Sequence, residues 1–328
     1  MNKTKKIYDV HCIGNYCIDI MVKPVDCFPE TGGVVGFNTF KITTGGCGNN
    51  TAIALEKLGQ TVLAAGIVGV DQFGDQILSA LSSANVDIKG MVHHLDLPTS
   101  LSIVLINSKG ERSFIYNIGA NAALSQEYLN WELITQSRIL HIAGAGLYPE
   151  LSSENLSLVL RKAKRCGVLT SVDTALNPKE NKWESFALSL PYIDYFLPSL
   201  VEATALTSTD NPELAAELFL KEGVGTVVIK MGEKGSYVAT KEERWQVSAF
   251  EVDVVDTCGA GDTSVAGFLT GILKGFKPHR AAQLANAVGA LCITTMGATE
   301  GVRSYEDTLQ FIEKNSNKTP EPIRIEQT

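Results

Sequence analysis

Short apolar runs of strand length alternate with stretches whose apolar residues recur every three to four positions, and this alternation covers most of the chain. Residues 7–13, 61–68, 138–142, 168–172, 193–197 and 226–230 predict buried strands. Residues 50–58, 72–84, 151–166, 212–222, 261–274 and 279–295 predict helices. Such alternation predicts an α/β fold: a mainly parallel sheet with helices on both faces. Ligands in that fold bind outside the carboxyl ends of the strands, near a topological switch.

Two regions break the alternation. Residues 20–43 carry Pro24, Pro29, Gly32, Gly33 and Gly36, with extended pieces at residues 20–22 and at Val34 and Val35. Residues 99–118 read as a hairpin, with residues 101–106 and 112–116 flanking a turn at 107–110. The two segments together predict a small β lid over the main sheet. After Lys314 the chain turns polar and proline-containing. This predicts one domain over residues 1–315 and a flexible tail over 316–328.

Two turns in front of helical runs point to chemistry. The string from Val254 to Thr263 holds Gly259, Ala260 and Gly261 at a predicted helix start. Unpaired N–H groups and the helix dipole make such a terminus bind anions. Asp262 stands in the same turn. A carboxylate beside an anion hole makes sense if it takes a proton from a nucleophile attacking that anion, as in phosphoryl transfer. Taken alone, Gly-Ala-Gly-Asp is more often a helix cap. The second turn is Gly45-Gly46-Cys47-Gly48-Asn49-Asn50. Its glycines let a ligand approach the backbone, and Asn offers a sugar hydroxyl both donor and acceptor. An ordinary capped turn is an equal alternative. Asp19 leaves the first predicted strand where it could bind hydroxyls in the cleft; a solvent-facing loop acid competes.

The string ending at Asp262 closely resembles the C-terminal signature of the ribokinase-like (PfkB) carbohydrate kinases, Asp-Thr-x-Gly-Ala-Gly-Asp. Gly45, Gly46 and Asn50 resemble that family's N-terminal signature, Gly-Gly-x-x-x-Asn. The resemblance spans roughly residues 7–315 and implies a three-layer α/β/α fold with a β lid. It implies that Asp262 is the catalytic base and that the Gly259, Ala260 and Gly261 amides form the anion hole. Gly45, Gly46 and Asn50 would line the sugar site, and Asp19 would hold two hydroxyls. Cys47 stands where ribokinase-type members carry Lys, so the acceptor does not carry over. Glu202 resembles a family Glu that positions Mg²⁺ through water, with Ser199 replacing the family Asn. A first-turn Glu favourable to the helix dipole is the competing account. Lys230, Gly232 and Gly235 resemble a turn near the nucleotide phosphates, where a solvated β-turn is nearly as good a reading. Asn286 and Ala287 fall where the family packs adenine. The turn from Met296 to Thr299 resembles one whose carbonyls hold a monovalent cation such as K⁺, which Asp256 would share. ATP, Mg²⁺ and K⁺ are thus the expected cofactors, and exposed lid edges imply a homodimer joined through the lid.

Composition narrows the alternatives. Hydrophobic residues make up 45% of 328, enough for a substantial core. A net charge of −8 argues against a nucleic-acid partner. The seven cysteines are scattered, which fits free thiols in a reducing compartment. The apolar run at residues 62–70 is too short for a membrane, and Asp9, His11, Asn15 and Asp19 interrupt the only stretch resembling an export signal. A cytoplasmic location is expected. No Gly-Lys dipeptide exists for a Walker loop, and Ser264 stands where a dinucleotide fingerprint needs its third glycine. The reading is therefore ATP-dependent phosphorylation of a primary hydroxyl on a small carbohydrate. A neutral sugar is favoured, because Asp19, Cys47 and Asn50 include no cation and Arg112 reads as a solvated lid residue. A nucleoside kinase with a base slot from Phe37, Phe40, Phe114 or Tyr148 is the first alternative. A non-catalytic sugar or nucleotide sensor is the second, and the intact Asp262 argues against it.

Overall fold

The computed structural model describes residues 6–151, 153–175 and 183–326. Its strands in chain order are β1 (Tyr8–Ile13), β2 (Cys17–Lys23), β3 (Thr39–Gly45), β4 (Val62–Gly69), β5 (Asp87–His94), β6 (Ser100–Ile106), β7 (Arg112–Asn117), β8 (Ser137–Ala145), β9 (Leu169–Thr174), β10 (Tyr195–Phe196), β11 (Thr226–Lys230), β12 (Ser236–Thr240), β13 (Arg244–Val247) and β14 (Ile323–Ile325). Its α-helices are α1 (Cys47–Lys57), α2 (Gln72–Ser83), α3 (Trp131–Thr135), α4 (Ser153–Arg165), α5 (Glu184–Ala187), α6 (Leu200–Thr207), α7 (Pro212–Lys221), α8 (Ala260–Leu273), α9 (Pro278–Cys292) and α10 (Tyr305–Lys314).

The main sheet runs β14-β13-β12-β11-β10-β9-β8-β1-β4-β5. From β11 to β5 neighbouring strands are parallel; β12, β13 and β14 add antiparallel to that edge. Every residue of β4 is buried, because helices cover both faces and leave no strand side for water. Core residues of α4, α6 and α7 pack on one face. Those of α1, α2, α8 and α9 pack on the other. The chain enters the sheet at β1 and later strands extend to either side of it, so the switch point lies at the carboxyl end of β1. There α1 begins against the sheet itself: a Cβ on Gly14 would lie 2.7 Å from the Gly48 Cα. Small residues likewise seat α8 on α9, since a Cβ at Gly271 would lie 2.7 Å from the Ala281 Cα. Backbone-close packing thus fixes the start of α1 on the sheet and the far end of α8 on the start of α9.

The lid is a separate four-stranded sheet, β3-β2-β6-β7. Its hairpin forms where the sequence predicts it, but its other half differs. Val34 and Val35 form no strand, and Val34 is 93% exposed. The chain instead pairs β3 with β2. Most of β3 is exposed, so its sequence carries no burial pattern to reveal it. The tail expectation also needs correction. Ile323–Ile325 pairs with β13, which would otherwise present an open edge. Arg280 holds Glu321, and Arg324 lies 3.6 Å from Glu243, which ties this segment down.

Candidate active site

The two glycine-rich turns, 212 positions apart, meet at the carboxyl end of β1. Asn50 Nδ2 donates to Asp262 Oδ2 at 2.8 Å, and Thr51 Oγ1 donates to the Asp262 carbonyl at 3.3 Å. Burial pushes the Asp262 carboxyl above its usual range; the Asn50 amide and the Lys230 ammonium oppose this. Asp262 lies in the first turn of α8, after Gly259 with φ 73°. A side chain at Gly259 would also overlap the Ala298 carbonyl oxygen, so glycine is required twice over. Ala260 N–H makes only a long 3.4 Å bond to Thr257 O, and among the described residues no bond is recorded from the N–H groups of Gly261 and Asp262. An anion can therefore be received there.

Lys230 ends β11 and covers this turn. Its Nζ lies 3.6 Å from the position a Cβ on Gly261 would take, and 3.9 Å from Asp173 Oδ2. Asp173 was not singled out from the sequence, although it follows a predicted strand as Asp19 does. It is 2% exposed at the end of β9, and Oδ1 accepts the Gly144 N–H at 2.6 Å. Burial pushes Asp173 up to about 7, with Lys230 opposing and Asp262 reinforcing. Glu202 also raises both acids through its charge. Glu202 itself forms a capping box at the start of α6, with Ser199 N and Oγ both donating to Oε2 at 2.7 Å. Ser199, standing for the family Asn, thus serves as the helix cap. Among the described residues no group of three or more His, Cys, Asp or Glu could by itself hold a metal. The acids around Lys230 fit Mg²⁺ delivered with polyphosphate oxygens, the usual way this ion is bound.

On the acceptor side, Gly45 and Asp19 are coupled: a side chain on Gly45 would overlap the Asp19 carboxylate. Burial raises the Asp19 carboxyl, the Asp262 charge adds to it, and hydrogen bonds from Cys17 and Ser102 oppose it. Gly46 adopts φ 97° beside the Asn15 carbonyl. Asn15 Oδ1 accepts the Cys47 N–H at 2.9 Å and fixes the turn. The Cys47 thiol lies near Asp262 and Asp173, and burial first, then these charges, pushes it well above its usual range. Tyr148 is fully buried and donates to the Ala143 carbonyl, so it cannot offer a nucleobase slot.

The remaining expectations fare unevenly. Gly232 and Gly235 bound a one-turn 3₁₀ helix after β11, both with positive φ. Asn286 spends its amide on the Val247 and Ser248 carbonyls at 3.1 and 3.0 Å. Ala287 is buried against Phe250 and Ala290, which corrects its expected place against adenine. Asp256 is buried, and its carboxylate accepts N–H groups from Cys258 (2.9 Å) and Gly297 (3.0 Å). It also pairs with the Arg112 guanidinium, so Arg112 is not the solvated lid residue its sequence context suggests. Burial raises the Asp256 carboxyl, but Arg112 and the two N–H groups outweigh it and hold the group below its usual value.

A helix start with N–H groups left open, an acid in its first turn joined to a second glycine-rich turn, and a lid strand reaching the same loop fit one class: a phosphotransferase with an alcohol acceptor. Residues 9–304 match the profile described as pfkB family carbohydrate kinase, and the chain belongs to that family. It is 30% identical over 310 residues to fructokinase-2 of Oryza sativa subsp. japonica, covering 89% of this chain and 92% of that one. It is 30% identical over 298 residues to 2-dehydro-3-deoxygluconokinase of Bacillus subtilis (strain 168), covering 86% and 90%. The fold matches Arabidopsis thaliana ribokinase complexed with ribose and ATP at a TM-score of 0.84 and 26% identity, covering 93% of this chain and 99% of that one. The fold is ribokinase-like, and the protein is an ATP-dependent carbohydrate kinase.

Proposed function

We propose that this kinase transfers the γ-phosphoryl group of ATP to a primary hydroxyl of a small neutral sugar. The contact between Asn50 and Asp262 carries the reading, because it joins the acceptor-side turn to the acid of the anion hole. Asp19, Asn50 and the backbone of Gly45 and Gly46 hold the sugar hydroxyls. Asp262 orients the attacking hydroxyl and takes its proton late, since the transition state is loose. The Gly259, Ala260 and Gly261 amides and Lys230 receive the charge that develops on the phosphoryl oxygens. Mg²⁺, bound with the nucleotide and reached by Glu202 through water, would neutralise phosphate charge. Gly232 and Gly235 would border the phosphates and Asn286 the base side of the nucleotide. Closure of the lid would exclude water and suppress hydrolysis. K⁺ is left out of this reading, because Asp256 already faces a guanidinium.

A neutral acceptor is favoured because the cations described near the pocket are engaged: Arg112 with Asp256, Lys230 between Asp173 and Asp262. The lid exposes Phe40, Ile42 and Phe114, which supports a homodimer joined through it. Seven unpaired thiols support a reducing cytoplasm. ADP formation measured across neutral sugars, sugar acids and nucleosides tests the assignment. Turnover with neutral sugars is expected; turnover with acids or nucleosides alone would overturn it.

A further inference from the structure

The family resemblance gives Asp256 a monovalent cation, and the residues around it do not fit one. Arg112, the first residue of lid strand β7, places its guanidinium on Asp256 Oδ1 and on Cys258 Sγ. The remaining Asp256 oxygen accepts the Gly297 N–H at 3.0 Å. The Ala298 carbonyl, within the turn expected to hold the cation, accepts instead from the Cys292 thiol at 3.2 Å, and that thiol also reaches Cys258 O at 3.5 Å. Burial pushes that thiol up to about 11, so it stays a donor at neutral pH. A second cation would sit beside the guanidinium and be repelled by it.

We propose that Arg112 is a positioning residue for phosphoryl transfer, standing in for the monovalent cation. The geometry gives it two tasks. Asp256 is a buried carboxylate at the head of the turn that forms the anion hole, and its negative charge would weaken that hole if unpaired. Arg112 neutralises it. Asp256 also accepts the Cys258 N–H, so an Asp256 held by Arg112 fixes the backbone entering Gly259. Because Arg112 belongs to the lid, the anion hole is held in shape when the lid is down. Lys41, on lid strand β3, lies 3.8 Å from Glu300 beside the same loop, so the lid meets this loop at a second point, although that exposed pair adds little energy.

The inference rests on the kinase reading, and its test separates the two. ADP formation from MgATP with fructose or ribose is compared in K⁺, guanidinium and tetramethylammonium for wild type, Arg112→Ala and Arg112→Lys. Wild type is expected to turn over equally in all three salts. Arg112→Ala should lose about 10²-fold in kcat in tetramethylammonium, as for loss of one charge-stabilising group, with little change in the KM for ATP. K⁺ or guanidinium should restore part of that loss, and Arg112→Lys should fall between. Amide hydrogen exchange at residues 258–261, with a non-hydrolysable ATP analogue bound, needs no acceptor. It should quicken in Arg112→Ala and slow again on adding K⁺ or guanidinium. A wild type that depends on K⁺, or an Arg112→Ala enzyme with normal kcat and normal exchange in tetramethylammonium, overturns the proposal. Absence of ADP formation by wild type with both fructose and ribose would count against the acceptor proposed above alone, and the exchange measurement would still decide the role of Arg112.

Discussion

Asp262 and Asp173 lie within the influence of one lysine, and their environments give them different work. Asp262 accepts an amide donor from the acceptor-side turn, which suits the proton-taking role proposed for it. Asp262→Asn should keep the fold and nucleotide binding while kcat falls by about 10²–10⁴. A folded variant with normal turnover would remove the base from the mechanism. Asp173 is buried with one N–H donor and a distant ammonium, which does not repay its desolvation. Its value rises from 3.8 to about 7, so between those values the folded chain holds a proton that the unfolded chain has released. Stability from this group is therefore greatest at acid pH and falls as pH rises through that window. Asp173→Asn, which keeps the acceptor for Gly144, should melt a degree or two above wild type at pH 8, since about 1 kcal/mol moves a chain of this size by roughly 1–2 °C. The difference should shrink toward pH 5. A thermal scan showing the reverse trend would mean that the Lys230 pair outweighs burial.

At the scale of elements, the site depends on helix starts being held to fractions of an ångström. The proposed anion hole is the first turn of α8, and α8 is seated by its contact with α9. Gly267 and Gly271 let the helices approach: Cβ atoms there would come 2.9 and 2.7 Å from Ala285 and Ala281 Cα. Backbone cannot yield as a flexible side chain can. Gly271→Val should therefore destabilise the protein by about 1–3 kcal/mol in urea titration. It should also lower kcat, because a displaced α8 tilts its N–H groups away from the phosphoryl oxygens. Unchanged stability would show that the two helices can separate without loss.

For the whole molecule, the lid is the part with an unfinished surface. Phe40 is 65% exposed and Phe114 61% exposed on the lid strands, with Ile42 and Ile115 exposed beside them. A homodimer through the lid is the expected state in sedimentation at micromolar protein. Phe40→Asp with Phe114→Asp should give a monomer. A wild-type monomer, or a dimer that survives both substitutions, would place the contact elsewhere.

Much of this architecture was legible in the chain. Burial leaves a repeating mark, so the parallel strands and their covering helices stood out, with β11 matching its predicted limits. Both glycine-rich turns were visible because backbone-close packing admits little but glycine. Elements without that mark were hidden: β3 is mostly exposed, and β14 is a three-residue edge strand in polar surroundings. The partners within the site lay deeper still. Nothing local links Asn50 to Asp262 or Arg112 to Asp256, which are 212 and 144 positions apart. Sequence determined which residues could do chemistry, since that depends on side-chain type and local turn geometry. Tertiary structure alone decided which charges neutralise each other, because Coulomb energy and desolvation depend on distances in space and on burial, not on order along the chain.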